Sequence, residues 1–147
     1  MRIWFVPARE LDDRHLLGEH VELHTMANVL IRGGGGWYNH PATRMFRGKL
    51  GALYRRHEEQ VAEMRRRGFT GHKSPFPVEK IPPDEWDAEV EITEEMLERD
   101  RRDLAERQKL SQQFGGISWR KARKLLEETE KISDQPPCPS SLQKNYD

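Results

Sequence analysis

The sequence has little cysteine and no long apolar run. Its one cysteine, Cys138, excludes an internal disulfide and any metal site built from several thiolates, which suits a reducing compartment. No apolar stretch approaches the roughly 20 residues of a membrane span. Residues 1–4, MRIW, do not open a signal peptide. We therefore expect a soluble, cytoplasmic protein that has no membrane partner and keeps its own N terminus.

Hydrophobic residues are also scarce, at 35% of the chain against 34% charged residues. Such a chain can bury only a small core, which strongly amphipathic helices can build. The length of 147 residues suits one domain. We expect an all-α, monomeric protein in which a compact domain of three to four helices spans residues 1–132. Residues 133–147 lack an apolar pattern and are expected to form a disordered tail.

The chain has no net charge, since 25 Lys and Arg balance 25 Asp and Glu. A uniformly basic, nucleic-acid-coating protein is thereby excluded. The balance hides a division: residues 1–75 hold 13 basic against 8 acidic residues (+5), and residues 76–147 hold 12 against 17 (−5). All six histidines lie in the first part. A polyanionic partner would therefore meet the N-terminal half.

Periodicity and capping signals divide the chain into helices and one long loop. A short apolar lead ends at Pro7 and should pack on the helices, which would hold the N-terminal amine against the domain. Four glycines end the first helix, and without Walker or GxGxxG spacing they favour a connector over a phosphate-binding loop. Thr93 resembles an N-cap, and Ser118 can cap the last helix. We predict helices over 9–31, 42–67, 94–112 and 118–132, and a Pro-rich loop over 69–92.

Residues 14–26, RHLLGEHVELHTM, carry the densest group of titratable side chains. At 100° per residue His15, Glu19 and Glu22 fall within about 60° of each other, beside an apolar strip that includes Leu23. This face is either an ordinary solvated surface or the wall of a cleft.

Three further groups each have a structural and a functional interpretation. His57 lies in the apolar stripe of the second helix, which favours a hydrogen-bonded core histidine over a ligand. Arg65, Arg66 and Arg67 precede Gly68 and either complement the helix dipole or contact phosphate. Trp119 stands among Arg120, Lys121, Arg123 and Lys124, as an anchor on a solvated helix or as a base-stacking residue.

The lead MRI, the block RHLLGEHVELH and the later block KLGALYRRHEEQVAEMRRRGF together resemble the pyrimidine-dimer DNA glycosylase and AP lyase family, the endonuclease V-like enzymes. The family shares the short lead, an HL-x-x-E-x-x-E-L helix and a second helix that ends in Arg-Gly-Phe. The resemblance covers roughly residues 1–70 and continues weakly through the helix after Thr93.

This resemblance implies an all-α enzyme that flips a nucleotide out of double-stranded DNA at a damaged or abasic site and attacks the sugar with its N-terminal amine. Met1 falls at the nucleophile and Glu22 at the catalytic carboxylate. The resemblance requires no metal or cofactor. Contacts to DNA are implied, or expected nearby, for six residues: Arg2, Arg14, His15, His20, His24 and Arg66.

The chain departs from the family at three positions of this site. Met1 stands where a small residue is usual, and because Arg2 follows it we expect Met1 to be retained. Val21 and Thr25 replace two arginines that flank the carboxylate, and His20 or His24 could partly replace them.

An α-amino group is a chemically reasonable nucleophile. Its ordinary pKa of about 7.7–8.0, against about 10.4 for lysine, leaves roughly a tenth of it as free base at neutral pH. That fraction is some hundreds of times the fraction for lysine.

Two other function classes remain open from the residues alone. One is a helical module that binds nucleic acid without chemistry. The other is a metal-binding protein, because His20 and His24 are four residues apart and can share an ion with His15, Glu19, His40 or His72. Neither an HExxH pattern nor a cysteine partner accompanies this pair.

Overall fold

The computed structural model describes residues 1–72, 74–115 and 119–133. The tail from Asp134 on, predicted to be disordered, and Ser118, the predicted cap of the last helix, lie outside these ranges. The described residues form α-helices and short 3₁₀ helices without a β-strand, which confirms the all-α prediction. The α-helices are α1 Asp13–Arg32, α2 Pro41–Arg44, α3 Leu50–Arg66, α4 Glu94–Phe114 and α5 Trp119–Ser133.

Helix α1 begins four residues later than predicted. Ala8–Glu10 forms a separate 3₁₀ helix, and Leu11 is extended. Asp12 then caps α1 by accepting a hydrogen bond from the His15 N–H at 2.8 Å. The helix ends where predicted, because Gly33 adopts a left-handed φ of 76° and donates its N–H to Val29 O at 2.9 Å.

The second predicted helix, 42–67, is two helices. After α2 the chain turns through residues 45–49, where Gly48 has a φ of 72°, and α3 then starts at Leu50. Phe46 and Leu50 are both buried, so the apolar stripe passes through the turn without a change of spacing. The prediction of one helix was wrong here because buried apolar residues continue through the turn, whereas the helical backbone hydrogen bonds do not.

The Pro-rich loop packs against α3. Two short 3₁₀ helices, Val78–Lys80 and Pro83–Glu85, interrupt it. Arg55 of α3 donates to the carbonyl oxygens of Trp86 at 2.6 Å and Ala88 at 2.7 Å. Gly51 allows the close approach, since a Cβ at this position would lie 2.2 Å from Trp86 O. The loop therefore lies on α3.

Helices α1 and α3 pack together and bury two apolar clusters, to which the lead contributes Ile3, Trp4 and Val6. The lead has its own system of hydrogen bonds. Its backbone N–H groups donate to carboxylates from helices: Arg2 to Glu22, Trp4 to Glu19 and Phe5 to Asp100, at 2.6, 3.1 and 2.6 Å. The lead is therefore fixed on the helices, as expected.

Helix α4 begins after Thr93, whose hydroxyl oxygen accepts from the Met96 N–H at 3.2 Å, so the predicted cap is confirmed. The chain divides into two compact units, Met1–Leu104 and Ala105–Asp147. In the second unit Arg123 lies 3.5 Å from Glu127 and 4.0 Å from Glu106. Among the described residues, no helix has the length and apolarity to cross a membrane.

Candidate active site

The N-terminal amine lies beside Glu22 of α1. Met1 N is 3.8 Å from Glu22 Oε1, and the Arg2 N–H donates to Glu22 Oε2 at 2.6 Å. The Glu22 side chain is 40% exposed, so a ligand can reach it from solvent. One carboxylate therefore contacts both of the first two backbone nitrogens.

The side chain of Met1 points away from this surface. It is only 4% exposed, packs against the apolar cluster of Leu23, Met26 and Leu50, and accepts a hydrogen bond from Thr43 Oγ1 to Sδ at 3.4 Å. The Met1 side chain thus anchors the amine and leaves the surface at Glu22 open to solvent.

Glu19, one turn before Glu22, is a buried connector. Its carboxylate accepts hydrogen bonds from the Trp4 N–H, from Arg56 and from Gln60 Nε2 at 2.7 Å. Burial raises the pKa of Glu19 above its ordinary value, and the Arg56 guanidinium opposes that rise. Glu19 holds the lead to α1 and α3 and does not open to solvent.

Arg2 is paired with acidic residues of α4. Its guanidinium donates to Asp100 and to Asp103 Oδ2, the latter at 3.2 Å, and lies 3.9 Å above the Trp4 ring. A phosphate contact by Arg2, as the resemblance implies, would compete with these two carboxylates.

The other predicted DNA contacts are spread over two helices. His15 Nδ1 lies 2.7 Å from Asp12 Oδ1 in the first turn of α1, and Arg14 beside it is exposed. Arg66 is 67% exposed near the end of α3, where it donates to Glu63. The structure therefore does not gather all six predicted contacts in one place.

His20 and His24 face away from Glu22, toward His57 of α3 and His72. His20 is 7% exposed and His57 is 1% exposed, so the predicted core position of His57 is confirmed. Three other residues considered as ligands are engaged elsewhere: His15 with Asp12, Glu19 with Arg56, and His40 as the cap of α2.

Uncharged side chains flank Glu22 on its exposed side. Val21 is 67% exposed, and Leu17, one turn earlier, is 41% exposed. Thr25 donates its hydroxyl to Val21 O at 3.2 Å. The surface next to the carboxylate is therefore uncharged where the resemblance would place two cations.

Sequence reasoning missed Thr43, Asp100 and Asp103, which hold the first two residues in position. The spacing of the two aspartates, three apart on α4, places them on one face of that helix. Only the packing of α4 against the lead gives this face a role.

These features define an all-α protein in which the N-terminal amine and a helix carboxylate share one solvent-accessible surface. Residues 1–75, which are 75 of the 147 residues, match the profile of the family described as pyrimidine dimer DNA glycosylase, and the chain belongs to this family. It is thus a DNA repair protein of the glycosylase type, and damaged DNA is its partner. No curated protein and no solved structure matches the chain.

Proposed function

We propose that this protein is a DNA glycosylase with AP lyase activity on damaged bases such as pyrimidine dimers, and that the Met1 amine forms a Schiff base with the substrate sugar. The observation that carries the proposal is the distance of 3.8 Å between Met1 N and Glu22 Oε1. Family membership supports the glycosylase part, and this geometry supports the choice of nucleophile.

In the proposed glycosylase step, the free amine attacks C1′ of a nucleotide flipped out of the duplex. A bond forms between the amine nitrogen and C1′, and the bond between C1′ and the base breaks, so that the base leaves with the electron pair. The negative charge of Glu22 stabilises the positive charge that develops on the sugar. The proton lost from the amine passes to Glu22 and from there to O4′ as the C1′–O4′ bond breaks, so that ring opening gives the Schiff base and leaves Glu22 ionised again.

In the proposed lyase step, the Schiff base acidifies the proton on C2′. A base at the position of Glu22 accepts this proton, the electrons form a double bond between C2′ and C3′, and the 3′ phosphate leaves. The strand is thereby cleaved by β-elimination, and hydrolysis of the Schiff base releases the enzyme.

Borohydride trapping tests the nucleophile. Protein whose intact mass shows an unmodified Met1 is mixed with duplex DNA that contains an abasic site, and borohydride reduces any Schiff base to a stable covalent complex. We expect the complex to map to the N terminus by peptide mass and to disappear after selective acetylation of the α-amine. Trapping that persists at full yield after acetylation, or an absence of trapping although the DNA is bound, would refute the proposal.

Glu22→Gln tests the carboxylate. Removal of the ionised group should slow strand cleavage by about 10²–10⁴-fold, the usual contribution of a positioned acid or base. The matched control is Glu128→Gln, which removes an exposed carboxylate from α5. Abasic-site DNA and dimer-containing DNA are assayed separately, so that the lyase and glycosylase steps are resolved. Equal rates for Glu22→Gln and the control would exclude a role for Glu22.

A further inference from the structure

Four histidines converge on the side of α1 that faces away from Glu22. His20 and His24 lie one turn apart on α1, His57 lies on α3, and His72 lies in the segment after α3. One ring nitrogen from each histidine lies within 4.8 Å of the corresponding nitrogens of the other three. The cluster is partly or fully buried at every member.

Polar neighbours orient two of the rings. His20 Nδ1 lies 2.8 Å from Gln60 Oε1, and His57 Nδ1 lies 3.0 Å from Glu58 Oε1. Because an amide or carboxylate oxygen accepts, each Nδ1 is the donor, and in the neutral ring each Nε2 then keeps its lone pair. Such an oxygen acceptor behind the ring is typical of metal-bound histidine.

In the part of the chain that the structure describes, two ring nitrogens of the cluster lack the partners that buried polar atoms normally have, and two others have only each other. Among the described residues, the buried Nε2 atoms of His57 and His72 have no hydrogen-bond partner. His24 Nε2 lies 3.1 Å from His20 Nε2, where at most one proton can lie between two lone pairs. Leaving such groups unpaired is unfavourable, and a cation among them would accept all four lone pairs.

We propose that His20, His24, His57 and His72 bind one transition-metal ion, and that this ion is Zn²⁺. Four imidazoles without carboxylate or thiolate are a donor set for Zn²⁺, which binds histidine nitrogens at about 2.0–2.1 Å in a tetrahedron. Ligand atoms of such a tetrahedron lie about 3.4 Å apart, so small side-chain movements bring the four nitrogens to the ion.

The site is structural, because four protein ligands fill a tetrahedral zinc and leave no position for a substrate. It would cross-link α1, α3 and the segment after α3 in a chain that has no disulfide. This role goes beyond the proposed function, and it removes His20 and His24 from the DNA contacts expected for them.

The test uses the full chain, stripped of metal by a chelator and titrated with Zn²⁺ alone. We expect one Zn²⁺ per chain by elemental analysis and a thermal midpoint that rises with Zn²⁺ concentration. Co²⁺ should give the visible absorption of a tetrahedral site. His72→Gln and His24→Gln, which change the less buried ligands, should each weaken Zn²⁺ binding by about 100-fold or more.

His40→Asn is the matched control, because it also removes a histidine yet keeps a side chain that can cap α2. It should bind Zn²⁺ as the unaltered chain does. If either ligand variant fails to fold, the Co²⁺ spectrum of the unaltered chain decides. The proposal would be overturned if fewer than one Zn²⁺ ion bound per chain or if the Co²⁺ spectrum lacked tetrahedral bands. Equal Zn²⁺ affinity in the ligand and control variants would also overturn it. DNA is absent throughout, so the outcome is independent of the trapping experiment.

Discussion

Met1 acts through two separate groups. Its thioether side chain lies in the core and accepts a hydrogen bond from Thr43, while its amine lies on the surface beside Glu22. A large first residue would be expected to crowd a cleft around its own amine. Here the buried side chain instead fixes the position of the amine, which in the proposed reaction would reduce the entropy lost when the amine is oriented for attack.

Glu63 provides a prediction on acid stability. Hydrogen bonds from Arg66 and then Arg67 are the main reasons that its pKa is lowered to about 2, and Arg67 also donates to Leu11 O at 2.6 Å. A carboxylate whose pKa is lower in the folded state stabilises the fold above its unfolded pKa. This stabilisation should therefore be lost as the pH falls from about 5 to about 2.

Urea unfolding across this pH range checks the prediction. The free energy of unfolding should fall less on acidification in Glu63→Gln than in the unaltered chain, because the variant has no proton to gain at this position. Glu98→Gln, on the exposed surface of α4, serves as the control. Its free energy of unfolding should fall with pH as much as that of the unaltered chain. Parallel curves for all three proteins would contradict the prediction.

Of the two residue clusters described above, the Met1–Glu22 pair could be predicted from the sequence, whereas the histidine cluster could be predicted only in part. The pairing of Met1 with Glu22 rests on a resemblance in residues 1–70 and on one helix face, both of which are visible in the sequence. Only two of the four histidines of the cluster could be grouped together from the sequence. His20 and His24 share a helix face, but His57 and His72 lie on other elements, and no spacing rule joins them before α1 and α3 are packed together.

At the scale of elements, local signals located the ends of helices well. Gly33 and Thr93 act through their own backbone or hydroxyl, so sequence alone placed the end of α1 and the start of α4. The turn between α2 and α3 was missed because Phe46 and Leu50, on either side of the exposed Gly48, are both buried as in one continuous helix. The 3₁₀ helix before α1 was missed for a similar reason: Ala8 and Leu11 are buried as a helix face would be.

Two glycines in helices predict opposite effects of the same substitution. Gly51→Ala should destabilise the protein by about 1–3 kcal/mol, because its Cβ would meet the backbone oxygens of Trp86 and Glu85 at 2.2 and 2.4 Å. Gly18→Ala, in α1 with no atom within 4 Å of its Cβ, should stabilise it by up to about 1 kcal/mol.

Urea midpoints of the two alanine variants, at equal m-values, provide the measurement. If Gly51→Ala proved neutral, the loop would not lie against α3 as described.

At the scale of the whole molecule, ion pairs within the protein neutralise part of the excess positive charge of the N-terminal half. Arg2, Arg56 and Arg67 pair with the carboxylates of Asp100, Glu19 and Asp13. These guanidiniums hold elements of the fold together, so fewer cations remain to meet phosphate than the composition suggests.

Arginine at the two uncharged positions beside Glu22 should therefore strengthen DNA binding. The double variant Val21→Arg, Thr25→Arg adds two exposed cations next to the proposed active site. If both reach phosphates, the slope of log K against log salt concentration should steepen by about 1.8, or 0.9 for each contact, with roughly tenfold tighter binding at low salt. Fluorescence anisotropy with abasic-site duplex over a salt series measures both quantities.

The glutamine pair Val21→Gln, Thr25→Gln is the control for side-chain size and polarity without charge. It should leave the salt slope unchanged. A slope that does not differ between the arginine and glutamine pairs would show that this surface lies away from the DNA backbone.

The hydrogen bond from Arg2 N to Glu22 determines what would remain beside this carboxylate if the first methionine were removed after synthesis. If an aminopeptidase trimmed the first methionine, the new terminal nitrogen would be that of Arg2, which already lies 2.6 Å from the same carboxylate. Trimming would remove the thioether anchor from the core and change which residue is first, but it would keep an amine beside Glu22. Either form of the chain would therefore keep the amine that the proposed mechanism requires beside Glu22, whereas a peptide tag fused in front of Met1 would remove it.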